Sequence, residues 1–306
     1  MVFFGAGCEK NNGNRTDSGQ NQNEQGNENG NENENGNGQT QEPEKPSVKT
    51  GAENLVLHIS FDNDNLIEVG EGVTFKENKG EAKIATGFIG QGWSNKSANN
   101  TKEAYSKFEV GANSAFTKIE SVTFSCWVKL IEGQKGAIIS LNGGRSGSKA
   151  HDFPAFIVYF DNSGTNEEQV KWQQVNGRLI FHDGNGNEQN LWLDTSLDVL
   201  AQYDEWYQFA FTYDTATGDV ILYKNGQEIQ TKSFELKIPF NNLVTEFADA
   251  LYVGAWSTFV EGDSVQTWQS YWAGGLDEIR LYNKAFSADE MLELYKEELN
   301  INLEQE

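Results

Sequence analysis

Cysteine is nearly absent from this chain of 306 residues, which holds only Cys8 and Cys126. Cys8 lies at the extreme N-terminus, so Cys126 is the only cysteine of the folded part. No internal disulfide can form there, and the domain must be stable by its core alone. Positive charge is also short: 23 Lys and Arg stand against 46 Asp and Glu, giving a net charge of -23 and a pI near 4.5. Nucleic acid and acidic membrane surfaces are therefore excluded as partners. No apolar run is long enough to cross a bilayer as a helix. Proline numbers four and histidine three. What the chain does have is 31 Gly and 12% aromatic residues, including eight Trp and nineteen Phe. That mixture favours many short strands and tight turns over helical bundles.

The first residues, "MVFFGAGCEK", place Cys8 after small residues and a short apolar run. The stretch resembles the end of a bacterial lipoprotein signal, which is cut before a Cys that then carries lipid. Gly5 stands where that pattern prefers Leu, and a start upstream of Met1 would supply the missing basic and apolar residues. The resemblance implies residues 1–8 as a signal remnant, Cys8 as the lipid anchor and an outer-membrane surface location in a bacterial cell envelope. The membrane would be met through that lipid alone.

Residues 9–51 are rich in Asn, Gly and Glu, with no aromatic and almost no aliphatic side chain. Such a segment has nothing to bury against the entropy of ordering, so it is expected to be a disordered linker. At ~5–6 Å times the square root of length, ~40 residues span about 35 Å on average. A stalk of this kind holds a domain off a surface.

From Ala52 onward the pattern is that of strands. "NLVLHISFD" alternates Leu55, Leu57, Ile59 and Phe61 with Val56, His58 and Ser60. "SVTFSCWVKL" sets Val122, Phe124, Cys126 and Val128 on one face, and "KNGQ" places Asn225-Gly226 in a two-residue hairpin turn. Only "SADEMLELYKEEL" reads as a helix, with Ser287 and Glu290 as its capping box. The expectation is an all-β, antiparallel two-sheet jelly-roll sandwich over residues 52–299. A short C-terminal helix closes it, and residues 300–306 are a tail.

Three stretches carry a family likeness in order and spacing: "SVTFSCWVKL", "EWYQFAFTYDTATGDVILYKNGQEI" and "LYVGAW…YWAGGLDEIRLYNKAFSADEMLELY". With the weaker "IATGFIGQGW" they resemble the concanavalin A-like, laminin-G-like jelly rolls of bacterial surface proteins. The resemblance implies two curved sheets packed face to face, used to bind glycans, sometimes proteins, and in some enzymes to cleave polysaccharides. Many such relatives hold a structural Ca²⁺.

In the laminarinase-like enzymes that this resemblance brings in, cleavage uses a Glu-x-Asp-x-x-Glu strand, and no such triplet occurs here. "GGRSGSK" lacks the second Gly of a hydrolase elbow. The favoured function is therefore non-catalytic binding of a glycan or polysaccharide. A protein-binding adhesin or assembly scaffold is the alternative, and an atypical glycoside hydrolase comes third. Sugar binding needs flat apolar plates with polar edges. Trp127, Trp206 and Trp272 sit in strand motifs and read as core, while Trp93 is undecided. Trp172, Trp192, Trp256 and Trp268 lie among polar residues and are the candidate stacking surfaces, with Tyr159 and Arg145 behind them. His151-Asp152 and His182-Asp183 could orient a ligand, but read first as polar surface.

One carboxylate stands out. In "LDEIRL", strict alternation puts Asp277 on the face of Ile279 and Leu281, where a charge is costly unless partnered. Two explanations are open. Asp277 could share a Ca²⁺ with Asp62, Asn63 and Asp64, all hard oxygen ligands. It could equally cap a backbone turn.

Overall fold

The computed structural model describes residues 47–97, 102–131, 136–143, 154–161, 174–182, 188–194, 204–235, 237–243, 248–262 and 269–305. The expected signal remnant and almost all of the expected linker lie outside the described residues. Two antiparallel sheets form the sandwich, as expected. In the first, the order is β13 (Gln227–Ser233), β12 (Asp219–Lys224), β11 (Trp206–Asp214), β6 (Val122–Leu130), β15 (Gly274–Tyr282), β4 (Gln91–Asn95) and β3 (Lys83–Thr86). The N-terminal β1 (Leu55–Ile59) also pairs with β15. The second sheet runs β10 (Glu188–Asp194), β9 (Gln174–His182), β8 (Phe156–Asp161), β7 (Gly136–Leu141), β14 (Ala250–Val253), β5 (Ala104–Val110) and β2 (Val73–Gly80). Sequence neighbours are often far apart within a sheet, so β6 sits between the late strands β11 and β15.

The core is made by the inward rows. Phe124, Cys126 and Val128 of β6 and Phe209, Phe211 and Tyr213 of β11 are buried in one cluster with Phe108, Phe156, Phe160 and Leu251 of the other sheet. Aromatic edges meet faces across the gap: Phe124 to Phe156 at 6.2 Å, Phe160 to Phe209 at 5.2 Å and Phe160 to Trp272 at 5.3 Å. Each such side chain withdraws enough apolar area to contribute about 1.5–3 kcal/mol before entropy is counted. Trp93 is also core, at 1% exposure.

Local signals behave as their chemistry dictates. Asn225 and Gly226 have φ of 50° and 70°, the doubly positive turn that matches strand twist in a two-residue hairpin. A Cβ on Gly226 would stand 2.9 Å from Cβ of Tyr295, so this turn is wedged against the C-terminal helix. That helix, α2 (Ala288–Gln305), starts at the expected box: the Ser287 amide donates to Glu290 at 2.9 Å and the Glu290 amide to Ser287 Oγ at 3.3 Å. It runs through the stretch expected to be a tail, because Ile301 remains buried beneath it. A short α1 (Ser257–Val260) follows β14. No helix among the described residues is long and apolar enough to cross a membrane.

Strand β15 departs from strict alternation. Leu276 pairs with Val128 and Asp277 with Trp127 of β6, but the next regular pair is Arg280 with Ser125. Glu278 and Ile279 share the space opposite Cys126, and Glu278 takes φ 51°. This bulge resets the parity of the strand. Leu276, Ile279 and Leu281 line the core, whereas Asp277, Arg280 and Tyr282 lie on the outer face with Trp127, Ser125 and Thr123. Asp277 is thus not in the inward row where regular alternation places it.

Its carboxylate is engaged by three backbone amides. Oδ2 accepts the Phe88 amide at 2.7 Å and the Ile89 amide at 2.8 Å, and Oδ1 accepts the Glu278 amide at 2.8 Å. The β3–β4 turn is held from other sides too. The Gln91 amide donates to Asp62 Oδ1 at 2.7 Å, the Gly90 amide to Gln305 Oε1 at 2.9 Å, and Asn302 Nδ2 to the Phe88 carbonyl. Gly87 is required for this approach, since any Cβ there would strike Asp277 Oδ2. Asp277→Ala should cost about 3–5 kcal/mol in urea unfolding, because it orphans three amides together. A cost under about 1 kcal/mol would show that the turn stands without Asp277.

Candidate functional site

The outer face of the first sheet carries a buried ionic chain under α2. On α2, Met291, Leu294, Glu298 and Ile301 form the inward stripe, and all are buried. Glu298 is therefore a carboxylate in an apolar row. It accepts Trp127 Nε1 at 2.7 Å, Gln208 Nε2 at 2.6 Å and Arg280 Nη1. Arg280 Nη2 continues to Glu278 Oε2, which also meets His58 Nε2 of β1 at 3.0 Å. One guanidinium thus bridges two carboxylates from two elements, with every participant nearly sealed from water.

Burial dominates the titration of these groups. It lifts the Glu298 carboxyl to about 7, with Arg280 opposing and Glu278 adding to the rise. Burial, then the Arg280 charge, holds His58 below its ordinary value despite Glu278. Burial works against ionised Glu278, but Arg280 and His58 outweigh it and hold that carboxyl low. For Asp277, burial and the adjacent Glu278 push upward while its three amides pull down.

Beside this chain opens a cleft of about 750 Å³, within the usual size range for ligand sites. Its floor is His58, Glu278, Arg280 and Tyr282, with the N-terminal segment at Val48, Thr50 and Ala52 as one wall. The Phe61–Leu66 loop and the last turn of α2 form the other walls, through Asp62, Asn63, Ile301, Glu304 and Gln305. The wall at Thr50 is fixed by Glu297 Oε2, which accepts the amides of Lys49 and Thr50, each at 2.9 Å. The loop is rigid: Phe61 and Leu66 hold φ of 64° and 59°, and Asn63 Nδ2 donates to Glu68 Oε1 at 2.9 Å.

One feature of the floor points outward. Both donors to Glu278 converge on Oε2, and Oε1 has no hydrogen bond among the described residues. This oxygen is not sealed from solvent, on a residue only 2% exposed that lines the cleft. A buried carboxylate with an open acceptor facing a cleft is a place for a donor hydroxyl or amine.

The residues singled out in the sequence fall differently. Trp256 is 2% exposed and tilts against Tyr159 at 4.7 Å, so it offers no open face. Trp172 and Trp268 lie outside the described residues, as do Arg145, His151-Asp152, Asp183 and Cys8. Trp192 pairs with Arg178 in the β9–β10 ladder, and His182 with Glu188. Trp127 and Trp272 are buried, but Trp206 is only partly so and meets Phe88 edge-on at 6.4 Å. Among the described residues no group of three or more His, Cys, Asp or Glu side chains is arranged to hold a metal. Asp62 and Asp64 are exposed on the loop, and Asp62 and Asp277 both accept amides of the β3–β4 turn. These donors point at the oxygens a cation would need, so the arrangement does not fit Ca²⁺ shared with Asp277. Glu298, Arg280 and Glu278 went unread, although a Glu inside the Met291–Ile301 stripe was a visible signal.

Comparison with known proteins agrees with the architecture. A family model described as the concanavalin A-like lectin/glucanases superfamily matches residues 100–291. The chain belongs to that superfamily. Among solved structures, the binding domain of botulinum neurotoxin serotype G is 12% identical with a TM-score of 0.50, covering 79% of this chain and 51% of that one. Domain 4 of the arabinanase AbnA from Geobacillus stearothermophilus, in complex with arabinotriose, is 18% identical with a TM-score of 0.46, covering 79% and 100%. The neurotoxin DC binding domain in complex with rat synaptotagmin II is 14% identical with a TM-score of 0.49, covering 80% and 51%. This chain therefore spans about half of the toxin domains, and at these identities the likeness is one of fold. No curated protein matches it in sequence.

The ionic chain sets a pH test. Burial pushes the Glu298 carboxyl from its ordinary 4.5 up to about 7, so its stabilising contribution is full below about 4.5 and lost as pH rises toward 7. Glu298→Gln removes that dependence. The unfolding free energy of the variant minus wild type should grow by about 1–3 kcal/mol between pH 4.5 and 7 in urea titrations. A difference that stays flat or shrinks would place the Glu298 carboxyl in the ordinary range.

Proposed function

We propose that this domain is a non-catalytic glycan-binding module, held at a bacterial outer-membrane surface by lipid on Cys8 and an acidic stalk. Membership of a lectin and glucanase superfamily supports carbohydrate or protein binding in general. The observation that supports the sugar reading is the open Glu278 Oε1 on the floor of the cleft. Around it His58, Ser60 and Asn63 add short polar groups, and Val48, Leu55 and Ile89 add apolar walls. A sugar ring offers that combination, with hydroxyls to donate and C–H faces to bury. A protein partner would call for a broad flat apolar patch, and among the described residues the exposed large hydrophobics are only Val69 and Leu303.

Ala52 is an exposed wall residue of the cleft, so Ala52→Trp fills the space without entering the core. Titration calorimetry with neutral oligosaccharides should show binding to wild type and a loss of about ten-fold or more in the variant. Its melting temperature should not change. Undiminished binding by the variant would move the site off the cleft. Cys8→Ser should shift the protein from the membrane pellet to the soluble fraction, and a protein still in the pellet would exclude the lipid anchor.

A further inference from the structure

Resting on the glycan reading, we infer that the cleft selects sugars bearing a free amine, such as hexosamine units, over uncharged ones and rejects uronic acids. The argument begins with charge. Asp62, Glu68, Glu278 and Glu304 line the cleft, and among the described residues the lining includes no lysine. Its one guanidinium, Arg280, already bridges Glu278 and Glu298 and is buried. His58, the remaining basic group, is 15% exposed and bonded to Glu278. Among the described residues no cation is left over to receive a ligand carboxylate, whereas several acceptor oxygens are.

Each of three lining carboxylates keeps an oxygen in reserve. Glu68 Oε1 accepts Ser60 Oγ at 3.1 Å and Asn63 Nδ2 at 2.9 Å, and Oε2 takes no hydrogen bond among the described residues. Glu304 makes no ion pair or hydrogen bond among the described residues and stands at the rim on α2. Glu278 Oε1 is the buried member of the set, and a buried carboxylate attracts an ammonium more strongly than an exposed one does. The remaining polar lining suits hydroxyls. A ligand that brings one ammonium and several hydroxyls on an apolar ring matches all of it. An N-acetylated ring would present its amide where the cleft offers charge, and a uronate would set like charges together.

The test uses the full chain and three probes of equal length: glucosamine oligomers, their N-acetylated counterparts and oligogalacturonate. Titration calorimetry at about pH 6 keeps the amine protonated. At about 50 mM salt the amine form should bind roughly ten-fold more tightly than the N-acetyl form, and oligogalacturonate should not bind. At about 300 mM salt the gap should narrow, since screening weakens the exposed members of the set. The triple variant Asp62→Asn, Glu68→Gln, Glu304→Gln keeps the acceptor oxygens of the loop and removes three charges. It should bring amine and N-acetyl forms to within about two-fold of each other. Equal or better binding of the N-acetyl or uronate probe overturns the inference and leaves the glycan reading standing. An amine preference that survives in the triple variant overturns it too, because the preference then belongs to the acidic surface as a whole. Binding of no oligosaccharide, neutral or amine, ends the glycan reading itself.

Discussion

The ion chain from Glu298 through Arg280 to Glu278 depends on a single backbone event, the bulge at Glu278 in β15. Without the extra residue, Arg280 and Asp277 could not both lie on the outer face three positions apart. With it, the strand sends a guanidinium up to α2 and a carboxylate sideways to the β3–β4 turn. Both are then desolvated, and neither is tolerable without its partners. The helix, the last strand and the early hairpin thereby become mutually dependent, although they are far apart in sequence.

This explains a division of labour between the two faces of the first sheet. The inner face is held by area: phenylalanines and aliphatic side chains meeting another sheet, with little demand on direction. The outer face is held by direction. Trp127 and Gln208 both aim at one oxygen of Glu298, and α2 can satisfy them in one register only. Hydrophobic burial holds the sandwich together, and the polar seam fixes the helix on its outer face through directed bonds.

The sequence made the regular parts legible because regular parts repeat. Alternation in "SVTFSCWVKL" named the true inner row of β6, "KNGQ" named its turn, and the Ser287–Glu290 box named the helix start. The same rule misplaced Asp277, since alternation assumes a constant period and a bulge is a break in it. Nothing in "LDEIRL" announces that Glu278 adopts a left-handed conformation. The site was harder still. Tryptophans in polar surroundings suggested sugar plates, yet Trp256 turned inward to cover Tyr159. The open acceptor of the cleft, Glu278 Oε1, owes its openness to two donors crowding the other oxygen, a fact of three dimensions alone.

The way the chain joins the domain has a mechanical meaning. Upstream residues reach the fold at Lys49 and Thr50, whose amides both rest on Glu297, the neighbour of Glu298 on α2. Val48, just before them, packs against the cluster of Tyr282, Phe286 and Met291, so the entry is held by one apolar contact and two hydrogen bonds to a half-buried side chain. The sandwich strands are loaded only after that clasp has given way. Those contacts also fix a wall of the cleft, so loosening them would widen the cleft before it strained a single sheet.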